Sequence, residues 1–199
     1  MARFPGAFFR ASFTAVGQLP TLRPMHLLDF NAQHFPILRS WFSSEADVVQ
    51  WGGPAVSFPL GDDQLRAMLA EGETVPPGRR CWMVEHHGAI IGHAQLGHDW
   101  RHGNAVLSRV AIAPNARGSG LARPLVIRVV EEAFRSPQIF RVELNVYSWN
   151  LPAITSYERV GFVREGMRRA SVRVGDARWD TVIMGLLRDE WAAPAPGPV

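Results

Sequence analysis

Lysine is absent from the 199 residues, so arginine supplies all 21 of the Lys and Arg positions. That absence removes whole classes of mechanism: no Walker lysine, no Schiff base and no lysine general base can be built. Cysteine is almost absent as well. Cys81 alone permits no internal disulfide and suits a reducing compartment, so a cytoplasmic location is expected. No apolar run approaches the ~18 residues that a spanning helix needs, so no membrane partner is expected. The formal charge of +3 comes from arginines that are scattered rather than clustered, which argues against a nucleic-acid partner. Repeats, low-complexity blocks and linkers are also missing, so a single domain over residues 21–191 is the economical reading.

What is present suffices for one sizeable core, with 47% hydrophobic and 20% charged residues. Residues 1–20 carry Arg and no acid and read as a poorly ordered N-terminal arm. Residues 192–199, rich in Pro and Ala, read as a flexible tail. Thr21–Pro24 reads as a short strand, and Asp29–Phe42 repeats its apolar residues at helical spacing. Asp62–Ala70 reads as a helix with acids in its first turn. CWMVE and AIIGHAQLGHDW form two strands about the HHG turn, and Asn104–Ala113 a third. Leu121–Phe134 is helical, IFRVELNVY a strand, Pro152–Val160 a helix, and Thr181–Leu187 a strand. Strand, helix, strand in this order implies a parallel pair with a crossover at Leu121–Phe134.

The seam before that crossover reads VAIAPNARGSGLARP, Val110 to Pro124. Gly118 and Gly120 allow a tight turn and a close approach to the backbone, and Ser119 between them is small. The unpaired N–H groups and the positive end of the helix then make an anion site, to which Arg117 or Arg123 can add a charge-assisted bond. A turn that only changes direction is the alternative. The context is informative, because Arg117, Gly120 and Ala122 fit RxxGxG/A directly after a strand.

This pattern resembles the acetyl-CoA-binding motif of the Gcn5-related N-acetyltransferases (GNAT). About thirty residues on, NLPAITSYERVGF resembles that family's second motif through Asn150, Ala153, Tyr157, Gly161 and Phe162. TLRP stands where the family's first strand does, with two helices before CWMVE, and the ending VIMGLL resembles the ribosomal-protein and N-terminal acetyltransferase branch. The resemblance implies an α/β fold with a central mixed twisted sheet of about six to seven strands, about four flanking helices and a splayed acetyl-CoA cleft. It implies acetyl transfer from acetyl-CoA to a primary amine, on a protein N-terminus or a small molecule. A catalytically silent CoA-binding regulatory module is the alternative, and a homodimer is compatible with either.

Carried over residue by residue, the resemblance places the pantetheine and pyrophosphate of acetyl-CoA on Val110, Ile112, Arg117, Gly118, Ser119, Gly120, Leu121, Ala122 and Arg123. Asn150 would bond the pantetheine arm and Tyr157 would protonate the departing thiolate. Family members commonly take the amine proton with a carboxylate, and at those places stand Val106 and Asn145, neither of which is a base. Asn145 would therefore hold a water. Glu143, His98, Asp99 and His102 are the other candidates. The seven histidines lack metal-ligand spacing, with His86 and His87 adjacent in a turn, so no metal is expected. The stretch QWGGPAVSFPL, with Trp51 and Phe58, either walls an acceptor pocket or seals helices to the sheet.

Overall fold

Apolar residues that alternate or recur at helical spacing build seven strands and five α-helices in a computed structural model, which describes residues 25–192. In chain order these are β1 (His26–Asp29), α1 (Phe35–Arg39), α2 (Glu45–Gly52), α3 (Asp62–Ala70), β2 (Arg79–His86) and β3 (Ala89–Asp99). Then follow β4 (Asn104–Ile112), α4 (Ala122–Phe134), β5 (Arg141–Tyr147), α5 (Leu151–Glu158), β6 (Val163–Val174) and β7 (Ala177–Leu187). The strands form one mixed α/β sheet in the order β1-β2-β3-β4-β5-β7-β6. Only β4 and β5 are parallel, and α4 is the crossover between them. His87 and Gly88, with φ of 53° and 77°, make the two-residue turn of the β2–β3 hairpin.

The helices seal both faces. α4 buries Leu125, Val126, Val129, Val130 and Ala133, each at most 1% exposed, against Ala94, Leu96, Leu107, Val142 and Leu144 of the sheet. Burial of aliphatic chains of this size contributes about 1.5–3 kcal/mol each, so the stripe docks α4 on the sheet. On the other face α1, α2 and α3 bring Phe35, Leu38, Trp51, Leu65 and Met68 onto Cys81 and Met83.

Two features of β4 set where the sheet opens. Its register with β5 pairs Asn104–Leu107 with Arg141–Leu144 and then stops, so the strands diverge. Against β3, three steps of β4 from Ser108 to Ala111 oppose two from Gln95 to His93, a bulge at which Arg109 has φ 51°.

The helix expected over Asp29–Phe42 is corrected. Asp29 closes β1 by pairing with Trp82, Asn31 caps a 3-10 turn at Ala32–His34, and α1 keeps only Phe35–Arg39. Pro36 has no N–H to bond back to the preceding turn, which sets the break there. Three α-helices, not two, precede CWMVE: α2 starts at Ser44, whose Oγ accepts from the Asp47 N–H at 3.2 Å. β6 was not foreseen either, because it is exposed at all but two of its twelve positions and shows no alternation. Trp100 lies past the end of β3, which closes with His98 and Asp99. The strand expected at Thr21–Pro24, the arm at 1–20 and all of the tail but Ala192 lie outside the described residues.

Candidate active site

Divergence of β4 from β5 opens a cleft of about 1080 Å³ that crosses the sheet. Its first wall is the glycine loop. Gly118 and Gly120 have φ of 78° and 76°, where side-chain-bearing residues are strained, and a Cβ at either would meet nothing within 4 Å. Leu121, at the N-cap of α4, offers no side-chain cap. The N–H groups of Ser119, Gly120, Ala122 and Arg123 donate to no partner among the described residues, and Pro124 has none to give. The opposite end of α4 is treated differently, since Arg188 donates to the carbonyls of Phe134, Ser136 and Ile139. An uncapped N-terminus above two open glycines fits an anion.

The structure brings Val110, Ile112, Arg117, Gly118, Gly120, Leu121, Ala122, Asn145, Asn150 and Tyr157 to this one cleft. The side chains of Ser119 and Arg123 do not wall it: the Ser119 hydroxyl donates to the Ala116 carbonyl at 2.8 Å, and Arg123 is exposed. Arg117 is tied back through Nε to the Ile112 carbonyl at 3.3 Å. Beyond Leu107 the β5-facing edge of β4, which includes Val110 and Ile112, has no strand partner.

Tyr157 is half-buried on α5 with its ring edge-on to Phe162 at 5.9 Å, and its hydroxyl bonds to no described residue. Burial pushes the phenol up to about 12, so it stays protonated across any ordinary working range. Asn150 caps α5, its Oδ1 accepting from the Ala153 N–H at 3.3 Å, which leaves the amide N–H groups free for a ligand. Asn145 is exposed at the start of the divergence, and its Oδ1 accepts from Arg168 Nη2 at 2.8 Å.

Of the other base candidates, Glu143 lies inside the paired part of β5, opposite Val106, and accepts from Arg141 Nε at 3.0 Å. It does not line the cleft. His98 is stacked on Trp100 at 4.5 Å, and burial lowers its pKa to about 4, too low for a base at neutral pH. Asp99 and His102 pair with each other at 2.9 Å on the exposed β3–β4 turn.

The far half of the cleft holds groups that sequence reasoning missed. Beside them stands Trp51, named from the sequence, which lines the cleft and also packs in the second core cluster. Glu71, just past α3, accepts from Arg79 Nε at 2.9 Å. Arg109, Arg168 and Asp47 line the same half. No local pattern marks Glu71 or Arg109, since both reach the cleft through a docked helix and a bulge. Ser44-x-x-Asp47 is a capping pattern and was readable as such.

Comparison with known proteins gives the family and the fold. A profile of the acetyltransferase (GNAT) family matches residues 38–162. An uncharacterized, SPbeta prophage-derived N-acetyltransferase of Bacillus subtilis is 25% identical, over 75% of this chain and 84% of that protein. An L-methionine sulfoximine/L-methionine sulfone acetyltransferase of Salmonella typhimurium is 34% identical over 55% of this chain and 66% of its own length. Among solved structures, the spermidine N-acetyltransferase of Vibrio cholerae in complex with CoA and spermine superposes with a TM-score of 0.71. It covers 83% of this chain and 96% of its own at 23% identity, and so shares the fold.

Proposed function

The chain belongs to the acetyltransferase (GNAT) family, and on that premise we propose that it moves an acetyl group directly from acetyl-CoA to the primary amine of a small molecule. The observation that carries the proposal is the uncapped start of α4 above Gly118 and Gly120, opening into the β4–β5 cleft that Tyr157 also faces. The free N–H groups at Ser119, Gly120, Ala122 and Arg123 would hold the pyrophosphate, with Arg117 beside them, and the unpaired edge of β4 at Val110 and Ile112 would bond the pantetheine. Asn150 would donate to the same arm through its free amide.

In the transfer the amine nitrogen attacks the thioester carbonyl, the N–C bond forms and the C–S bond breaks. Tyr157 gives its proton to the departing sulfur and is reprotonated from solvent. The amine's surplus proton passes to a water beside Asn145. Direct attack with both partners bound draws on the proximity that the cleft imposes. A relative named for a small-molecule substrate, the L-methionine sulfoximine/L-methionine sulfone acetyltransferase, supports such an acceptor over the protein N-terminus that the branch resemblance implies. A second copy would seat on the edge strand β6, which leaves Val163 and Met167 exposed; light scattering that gives twice the chain mass checks the homodimer.

The absence of a carboxylate at Val106 and Asn145 favours the silent CoA-binding module as the second reading. Thiol release from acetyl-CoA over a panel of amines separates the two, because a silent module binds acetyl-CoA without amine-dependent release. Run from pH 6 to 10 with two acceptors of different amine pKa, the acidic limb of kcat/KM should move with the acceptor. A limb that stays fixed would assign a protein base and remove the water at Asn145.

A further inference from the structure

The floor of the acceptor half carries a guanidinium that the transfer step does not use. Arg109 sits on the β4 bulge at φ 51°, a left-handed conformation that a long side chain adopts at some cost. Two strong contacts keep it there. Its carbonyl accepts from the Trp51 indole N–H at 2.7 Å, and its Nη1 donates to Gln95 Oε1 at 2.7 Å. Gln95 is fully buried, and its Nε2 lies 3.1 Å from Nε2 of His93, which is fully buried as well. Arginine can only donate, so the Gln95 oxygen faces Arg109 and its N–H group faces His93. Burial holds His93 neutral, and its Nε2 is then the acceptor. This chain of three side chains aims the guanidinium into the cleft.

The edge it leaves unpaired is the one formed by Nε and Nη2, of which Nη2 is the accessible atom. Nε is buried without a partner, Nη2 bonds to no described residue, and Arg109 joins no ion pair among them. Arg79 stands nearby and its Nε already holds Glu71, so this corner carries two guanidinium groups and one carboxylate. Arg168 adds a further positive charge across the cleft, and the remaining carboxylates, Asp47 and Asp99, are engaged by Ser43 and His102. A half-buried cation with no direct ion pair is costly, and the Nε–Nη2 edge has two unspent parallel N–H bonds that match a carboxylate.

Resting on the acetyltransferase reading, we propose that Arg109 binds the carboxylate of the acceptor, which makes the acceptor an amino acid rather than a polyamine. Arg109 lies two residues beyond Leu107, where β4 last pairs with β5, so the carboxylate sits beside the point of acetyl transfer. An α-amine is then presented to the thioester, while Gln95 and His93 act as positioning residues.

The test uses the full chain and measures amine-dependent thiol release for a set of L-amino acids, their carboxamides, their decarboxylated counterparts and spermidine. For the best acid, kcat/KM should exceed that of its carboxamide by ~100-fold, the scale on which a missing partner for a buried polar group is felt. Arg109→Gln should bring that ratio to about one, with acetyl-CoA affinity by calorimetry unchanged, and Arg109→Lys should recover little because it lacks the fork. Gln95→Leu should raise KM for the acid with a smaller change in kcat. If the parent turns over the carboxamides or spermidine as well as the acids, or binds acetyl-CoA and acetylates no acid, the assignment is overturned while the family reading stands. No acetyl-CoA binding at all would sink the acetyltransferase reading itself. The parent's acid-to-amide ratio needs no variant to fold.

Discussion

Tyr157 shows how one side chain can be suited to a role by its surroundings. Its phenol is pushed up to about 12 by burial, and nothing described bonds to its hydroxyl, so it can stand protonated where a thiolate would leave. Tyr157→Phe should lower kcat by ~10- to 100-fold, within the range for general acid catalysis, and leave acetyl-CoA affinity nearly intact. Equal losses in cofactor binding, measured by calorimetry, would show that the ring only packs against Phe162. Because burial holds the phenol protonated, no alkaline limb from it is expected across the working range. Residues of this kind were legible in the sequence, since Tyr157 and the glycines stand at motif spacings. Arg109 and Glu71 were not, because a charged residue declares no partner until the bulge and the end of α3 are placed.

Helix α4 is dressed unevenly at its two ends. Its last carbonyl, that of Phe134, meets Arg188, which suits the negative end of the helix, while its N-terminal amides are left bare beneath Gly118 and Gly120. Gly120→Glu places a carboxylate among those amides, where a pyrophosphate would compete with it. Acetyl-CoA affinity should fall at least ~100-fold, given like-charge repulsion in a partly desolvated site. Gly120→Ala serves as the control: at φ 76° it strains the backbone by about 1 kcal/mol and puts a methyl into open space. If calorimetry finds the Glu variant binding as tightly as the Ala variant, the anion lies elsewhere. Elements with a strong period, such as α3 and α4, match their sequence limits to within a residue. The elements misjudged are those where local periodicity competes with something else: a capping asparagine before α1 and a proline in its first turn, and solvent on nearly all of β6.

At the scale of the whole molecule, the parallel β4–β5 pair was implied by element order, but the placing of β7 between β5 and β6 was not, since strand order depends on non-local pairing. The same non-local assembly buries His93 between Phe30 and Trp51, with ring centroids 4.9 and 5.6 Å away, and makes it a liability in acid. Burial first, then the nearby Arg109, lowers its pKa from an ordinary 6.5 to about 3. Above pH 6.5 neither the folded nor the unfolded chain protonates this residue and it has no effect. Between pH 6.5 and 3 the unfolded chain takes a proton that the fold refuses, so stability falls as pH falls. The slope for His93 is about 1.4 kcal/mol per pH unit in that window, and His98, whose pKa is lowered to about 4, adds a smaller share because it is only half-buried. Carboxylates held below their usual range, Asp47 and Glu165 among them, act in the same direction only once pH drops below about 4. Denaturant unfolding of His93→Gln between pH 6.5 and 4.5 should therefore show a shallower decline than the parent, whatever its stability at neutral pH. Parallel declines would mean that His93 is protonated in the fold, and the neutral acceptor assigned to its Nε2 would be lost with that result.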